Sequence, residues 1–347
     1  MMSVLELSER CSGVLQADLM ESLWDKGLEA RMVSAGGSRY VVVDGPIELA
    51  DLRPFGVRSV RTTSHPFPLV SRDAGIASSP VMVGDVEVGG GDFVVMAGPC
   101  SVESREQIVR TAMAVKSAGA SILRGGAFKP RSNPYSFQGL GGIGISLLEE
   151  ASRAAGIPVV TEVMDPQDVE VVSRWAHMLQ IGTRNMQNFP LLKEVGRSHR
   201  PVLLKRGMMA TVDEWLQAAE YVVSSGNPNV VLCERGIRGF DRAVRNVLDL
   251  SAVPLVKGLS GLPVVVDPSH GTGRRDLVIP MSMAAAAAGA DGLIVEVHPS
   301  PEEALCDGEQ SLDFNGFRVL MDSLSALLEA VKLSQRQGDL KRCSAVM

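Results

Sequence analysis

Two hydrophobic rhythms divide the chain. Over residues 1–70 short alternating stretches dominate. VLELSE (4–9) reads as a strand, QADLMESLWDKG (16–27) as an amphipathic helix, and EARMVSA (29–35) with RYVVVDG (39–45) as a hairpin about a Gly-Gly turn. PIELADLRPFG (46–56) opens with proline where a helix would start, and VRSVRTT (57–63) alternates as a strand. The order β-α-β-β-α-β predicts a small ferredoxin-like α+β domain over 1–70. The stretch 64–80 contains three prolines and no period, so it predicts a connection, with the linker proper at 71–80. VMVGDVEVGGGD (81–92) then alternates around a Gly-Asp turn and predicts a small hairpin.

From residue 93 the rhythm changes to apolar runs separated by helical patterns. Candidate strands are 93–99, 121–126, 158–163, 177–183, 201–207, 230–236, 262–268 and 292–298. Helical patterns such as 104–119, 147–156, 211–226 and 281–290 lie between them and end near glycine, and 317–333 closes the series. Continuous apolar strands covered by helices describe a parallel sheet buried on both faces. Eight such units, none with a GxGxxG turn directly after its strand, favour an α/β fold of the (β/α)8 TIM-barrel type over a doubly wound sheet. The barrel with its hairpin is expected over 81–335, followed by a C-terminal tail at 336–347.

A barrel of this kind carries its chemistry at the C-terminal ends of its strands. In order, those ends hold Cys100, Arg124, Glu162, Arg184, Lys205, Arg235, His270 and Glu296. Each alone has a plain explanation: a buried small thiol, a satisfied structural histidine, a solvated cation. Eight in phase at one end make the pattern of a site. Arg124, Lys129, Arg131, Arg184, Lys205 and Arg235 form a cationic group suited to a ligand with more than one phosphate or carboxylate. Cys100, His270, Glu296 and Asp307 form a second group, whose thiol, imidazole and carboxylates suit a divalent metal of the Mn, Fe, Co or Zn class. These ligands are too far apart in sequence for a zinc finger and would converge only in the fold. On spacing alone, Asp307 is equally a turn residue before Gly308, and Cys100 equally an inert thiol.

Composition narrows the partners. Lys and Arg number 34 against 40 Asp and Glu, a net charge of −6, and aromatic residues are only 4%. A nucleic-acid surface would need a basic groove and stacking platforms that this balance does not supply, so no nucleic-acid partner is expected. Five cysteines with no CxxC spacing argue against a disulfide scaffold and for a reducing compartment. The start, MMSVLELSER, lacks the basic-then-apolar pattern of a secretory signal, and the weakly polar run at 279–290 is too short to span a membrane. A cytoplasmic protein without a membrane partner is expected.

At finer grain the local sequences become specific. AGPCSVES (97–104), RGGAFKPRSNPYSFQGLG (124–141), TEVMDP (161–166), IGTRNMQNF (181–189) and LLKRGMMAT (203–211) run in one order through the chain. CERGIRGF (233–240), NVLDLSAVP (246–254), VDPSHGTGRR (266–275) and EVHPSPEEALCDGEQSL (296–312) follow. Over residues 81–335 this resembles the 3-deoxy-D-arabino-heptulosonate 7-phosphate (DAHP) synthases, in their shorter bacterial subfamily, which also contains 3-deoxy-octulosonate 8-phosphate synthases. The resemblance implies a condensation of phosphoenolpyruvate with erythrose 4-phosphate that releases phosphate, the first step of the shikimate pathway. It implies a divalent metal on Cys100, His270, Glu296 and Asp307, and phosphoenolpyruvate contacts from Arg124, Lys129, Arg184, Lys205 and Arg235, with Glu162 at the same site. Lys129, Pro130 and Arg131, with Ser132 beside them, would meet the sugar phosphate. Lys129, Cys100 and His270 would be the catalytic residues.

The KPR segment and the presence of Cys100 favour the four-carbon aldehyde over arabinose 5-phosphate. The chain departs from the family pattern at Ser132-Asn133, Gly142-Ile143, Gly239 and Val247, and Cys306 beside Asp307 is unusual. The N-terminal module resembles a regulatory domain of some of these enzymes, which implies a homotetramer inhibited by an aromatic amino acid. Two other readings stand beside this one: a synthase for another aldose phosphate, and a non-catalytic barrel acting as a metabolite-binding regulatory subunit.

Overall fold

The structure, a computed structural model, describes the chain except residues 78, 79, 130, 132 and 345–347, with side chains as far as residue 331. Strands β1 (Met2–Leu7), β2 (Glu29–Ala35), β3 (Ser38–Asp44) and β4 (Val57–Thr63) pair antiparallel in the order β2-β3-β1-β4. Helix α1 (Gly13–Asp25) begins where the Ser12 hydroxyl accepts the Leu15 N–H, three residues before the apolar pattern suggests. The pleat sorts the sheet's side chains. Leu5, Val41, Val43 and Val57 pack with Leu19 and Leu23 of α1, whereas Val4, Val33 and Ala35 turn the other way and join the larger core.

The second helix expected over 46–56 does not form. Two 3-10 turns, Leu49–Asp51 and Arg53–Phe55, stand in its place. Pro54 has no N–H for an α-helical ladder and its ring excludes a helix interior, while Gly56 at φ 81° closes the second turn.

Residues 64–77 form no strand yet are docked on the barrel. Phe67, Leu69 and Val70 are fully buried, and Ser71 bridges Ser260. The hairpin of β5 (Val81–Val83) and β6 (Val86–Val88) follows as expected.

All eight barrel strands lie within their predicted stretches. They are β7 (Val94–Gly98), β8 (Ile122–Arg124), β9 (Val159–Glu162), β10 (Met178–Ile181), β11 (Val202–Lys205), β12 (Val230–Glu234), β13 (Val264–Val266) and β14 (Gly292–Glu296). Adjacent strands are parallel and β14 pairs with β7, so the barrel is closed. Around it run α2 (Arg105–Ser117), α3 (Gly142–Ala155), α4 (Val169–Trp175), α5 (Phe189–Arg197), α6 (Val212–Ser224) and α7 (Ala252–Leu259). Then come α8 (Pro268–Thr272), a short extra helix, α9 (Arg275–Ala287) and α10 (Phe314–Ser344). The backbone of α10 continues past residue 335, where the tail is expected to begin. Among the described residues no helix is long and apolar enough to cross a membrane.

One step inside the barrel sets up the site. Val81, Val83 and Val88 of the hairpin pack with an inward layer that includes Met96, Ile122, Val160, Met178, Leu203, Val265 and Ile294. Side chains two residues apart on a strand share a face. Moving two residues on from Ile122, Val160, Met178, Leu203, Val265 and Ile294 therefore gives Arg124, Glu162, Gln180, Lys205, Asp267 and Glu296. The apolar plug is followed at once by a buried polar layer. Gly98 completes the level: a Cβ there would stand 2.0 Å from the Arg124 carbonyl oxygen.

Glu220 on α6 ties the docked segment to the barrel, its carboxylate accepting the N–H groups of Leu69 and Val70 at 2.9–3.1 Å. Burial pushes this carboxyl up to about 7 against the pull of those two donors. A carboxyl whose folded pKa is raised costs stability as it ionises, so the loss begins near the unfolded value of about 4.3 and is complete above about 7. Urea unfolding should show stability falling by on the order of 3 kcal/mol between pH 5 and pH 8, and Glu220→Gln should flatten that slope.

Candidate active site

The C-terminal mouth of the barrel opens into a cleft of about 350 Å³. Seven cations line it: Arg124, Lys129, Arg131, Arg184, Lys205, Arg235 and Arg245. Arg124, Lys129, Lys205 and Arg235 are almost fully buried. Arg124 donates to Glu296 Oε1 at 2.7 Å, and Lys205 donates to Asp267 Oδ2 at 2.5 Å. The Nε of Arg124 is buried without a hydrogen-bond partner among the described residues. Burial works against the charge on Lys129, but Cys100 and Glu162 hold its pKa above the usual lysine value. Its ammonium group therefore keeps its proton. Gly182 makes room for Glu162, whose Oε1 a Cβ at 182 would approach to 2.0 Å.

On one side of this cleft the four candidate ligands converge. One donor atom each from Cys100, His270, Glu296 and Asp307 lies within 4.8 Å of all the others. His270 Nε2 is 3.3 Å from Glu296 Oε1 and 4.0 Å from Asp307 Oδ2, and Cys100 Sγ is 3.2 Å from Asp307 Oδ2. A thiol, an imidazole and two carboxylates in this compass fit a borderline divalent cation, which would draw their lone pairs to a common centre. Burial raises the Asp307 carboxyl, but His270 and the Cys100 hydrogen bond outweigh it and hold the group at about 2. The Cys306 hydrogen bond and burial push the Cys100 thiol well up. Cys306 does reach Cys100, at 3.3 Å, and also accepts from Arg131 Nη1 at 2.7 Å.

Local backbone explains these placements. His270 is fixed by a capped turn: Asp267 caps α8, Pro268 occupies its first position, and the Asp267 carboxylate accepts the His270 N–H at 2.9 Å. Asp307 has φ 53°, the sole positive φ outside glycine among the described residues. Aspartate tolerates this left-handed conformation better than most residues, and strain of this kind gathers where a side chain must be aimed. Glu103 pins the same loop, accepting the Leu305 N–H at 2.9 Å and facing His298 Nε2 at 3.3 Å.

A model of the DAHP synthetase I family matches residues 69–332. The chain belongs to this family. It is 50% identical to the phospho-2-dehydro-3-deoxyheptonate aldolase of Thermotoga maritima over 307 residues, 88% of this chain and 89% of that protein. The 2-dehydro-3-deoxyphosphooctonate aldolase of Geobacter sulfurreducens is 29% identical, over 73% of this chain and 98% of its own. The crystal structure of the Thermotoga maritima heptonate aldolase (DAHP synthase) aligns with a TM-score of 0.76 at 43% identity, covering 95% of this chain and 98% of that one. A truncated form of the Thermotoga maritima synthase aligns at 0.71 and 49% identity, over 76% of this chain and 97% of its own.

In this DAHP synthetase I chain, Cys100, Arg124, Lys129, Arg131, Glu162, Arg184, Lys205, Arg235, His270 and Asp307 all line the one cleft, and Glu296 lies behind His270. Pro130 and Ser132 lie outside the described residues. Two of the strand-end readings shift by a few positions: the last inward residue on β10 is Gln180 and the one following β13 is Asp267, while Arg184 and His270 arrive from the turns beyond. Sequence reading also passed over Arg245, which reaches Asp307 Oδ1 at 3.5 Å and Gln310 Oε1 at 3.1 Å, and Gln310, which donates to Glu296 Oε2 at 2.5 Å. The two-residue step from Met178 and Val265 is the signal that would have found Gln180 and Asp267; Arg245 has no such signal.

The Arg124–Glu296 pair is buried on both sides. Arg124→Met should destabilise the metal-free protein by up to about 3–5 kcal/mol in urea unfolding, because the buried Glu296 loses its arginine and keeps only Gln310 and His270 beside it. Adding Glu296→Leu should recover much of that loss.

Proposed function

We propose that this chain condenses phosphoenolpyruvate with erythrose 4-phosphate to DAHP and inorganic phosphate, the first committed step toward aromatic amino acids. The observation that carries this is the joining, at one barrel mouth, of a seven-cation cleft to a Cys-His-Glu-Asp donor set. Two phosphorylated anions must be held side by side here. Only a dense set of cations, their own charges anchored by buried carboxylates, offsets the repulsion and desolvation of such a pair. Over the aligned 88% of this chain, identity to a heptonate aldolase is 50%, against 29% over an aligned 73% for the octonate aldolase, and this supports the four-carbon aldehyde.

Within this reading Arg124, Lys129, Arg184, Lys205 and Arg235 bind phosphoenolpyruvate, and Glu162 helps to orient that cationic set. Arg131, with Pro130 and Ser132 beside it, binds the sugar phosphate. Lys129 holds a proton at Nζ on the wall of the cleft, where an oxygen gaining negative charge would be stabilised. Cys100, His270, Glu296 and Asp307 would hold a divalent metal, which when bound supplies a Lewis acid for the aldehyde oxygen.

The antiparallel sheet of residues 1–70 is read as a ferredoxin-like regulatory module with its second helix reduced to 3-10 turns. On this reading the enzyme is a cytoplasmic homotetramer, inhibited by an aromatic amino acid bound between N-terminal modules.

Phosphate release from phosphoenolpyruvate should require an added aldose phosphate, be faster with erythrose 4-phosphate than with arabinose 5-phosphate, and stop on treatment with a chelator. Cys100→Ala should lower it by roughly 10²–10³-fold, the scale of removing one electrostatic group. Release with neither aldehyde would refute the enzymatic reading, and preference for the pentose would refute the substrate. Deleting residues 1–70 should abolish inhibition by tyrosine or phenylalanine while sparing turnover; equal loss of both would assign the module a structural role instead.

A further inference from the structure

We infer that Asp267 is a positioning residue that couples the two halves of the site, fixing the metal-facing geometry of His270 and the place of Lys205 with a single buried carboxylate. The inference rests on the metal-site reading above. Asp267 is 1% exposed and is the inward residue that follows Val265 on β13. Its Oδ1 accepts the His270 N–H at 2.9 Å, the ordinary work of a helix cap. Its Oδ2 does something that capping does not need. It lies 2.8 Å from His270 Nδ1 and accepts from Lys205 Nζ at 2.5 Å.

Both ring nitrogens face carboxylates, which can only accept. Asp267 Oδ2 is 2.8 Å from Nδ1 while Glu296 Oε1 is 3.3 Å from Nε2, so the closer contact places the ring proton of a neutral His270 on Nδ1. The lone pair is then on Nε2, the nitrogen that faces Glu296 and Asp307. Such a carboxylate partner both orients a ligating histidine and raises its basicity. The same oxygen holds Lys205, which lines the cleft. A metal ligand and an anion-binding ammonium are therefore set relative to one another by one atom. A shift in either is felt by the other through a contact of under 3 Å on each side.

The test is Co²⁺ binding to the full chain, read by metal content and by the visible and thiolate-to-cobalt absorption. Asp267→Asn keeps an oxygen for the cap but loses the acceptor shared by Nδ1 and Lys205. It should weaken Co²⁺ binding by roughly 10–100-fold and alter the absorption spectrum. At saturating metal it should also raise KM for phosphoenolpyruvate, and Asp267→Glu should recover part of both losses. Wild-type affinity and spectrum in the Asn variant would overturn the inference. Failure of the wild-type chain to bind Co²⁺ would overturn the metal reading itself, and this inference with it.

A measurement on the unsubstituted protein covers the case in which Asp267→Asn does not fold. The ring ¹⁵N signals of His270 in the metal-free chain, assigned by their loss in His270→Gln, should show the proton on Nδ1. A neutral ring with its proton on Nε2 and none on Nδ1 would overturn the inference.

Discussion

A ring of like charges can be buried only if its counter-charges are buried with it, and that constraint organises this barrel. Isolated, Arg124 and Lys205 would each carry a prohibitive desolvation cost. The fold meets it by interleaving carboxylates at the same level: Glu296 against Arg124, and Asp267 against Lys205. Farther along, Arg206 is held between Glu234 and Asp249 at 2.9 Å each. The carboxylates do not cancel the cleft. Each takes one side of its cation and leaves the remainder directed at the space where an anion would sit.

The same carboxylates serve two regions at once. Glu296 accepts from Arg124 and Gln310 while facing His270, and Asp267 serves His270 and Lys205. A divalent metal held beside this cation cluster would be repelled by it. Shared carboxylates between the two would offset that repulsion, and the barrel's two-residue step delivers those carboxylates from neighbouring strands. The apolar layer beneath, sealed by Val81, Val83 and Val88 of the hairpin, is a rigid floor rather than a passive core.

How much of this was legible in the sequence depended on whether a feature is local. The eight strands were legible because each is a short apolar run between helical patterns, and the residues following them fell in register with the barrel mouth. The helix expected over 46–56 failed because a proline at 54 outweighed an apolar spacing that otherwise suits a helix. Arg184 and His270 were found, but for a partly wrong reason: they stand beyond the strand ends, on turns whose geometry is set by Asp267 and by Gly182. Arg245 was missed because its place at Asp307 depends on a long loop closing over the mouth, which no periodicity records. The docking of residues 64–77 was hidden for a similar reason. Its buried Phe67, Leu69 and Val70 sit among prolines, and their partners on α6 and near Ser260 are about 150–190 residues away.

Acidity of the whole chain and basicity of the cleft are two consequences of one arrangement. Of the charged groups at the mouth, the cations point inward along strands and their following loops, so they concentrate where solvent is scarce and their field is least screened. The excess acid is spread elsewhere, largely over exposed helix surfaces where pairs such as Arg110–Glu106 and Arg197–Glu194 are screened by water. A net charge of −6 therefore has little bearing on what the cleft binds. What decides it is the local potential in a partly enclosed space, and there seven cations outnumber the carboxylates that hold them in place.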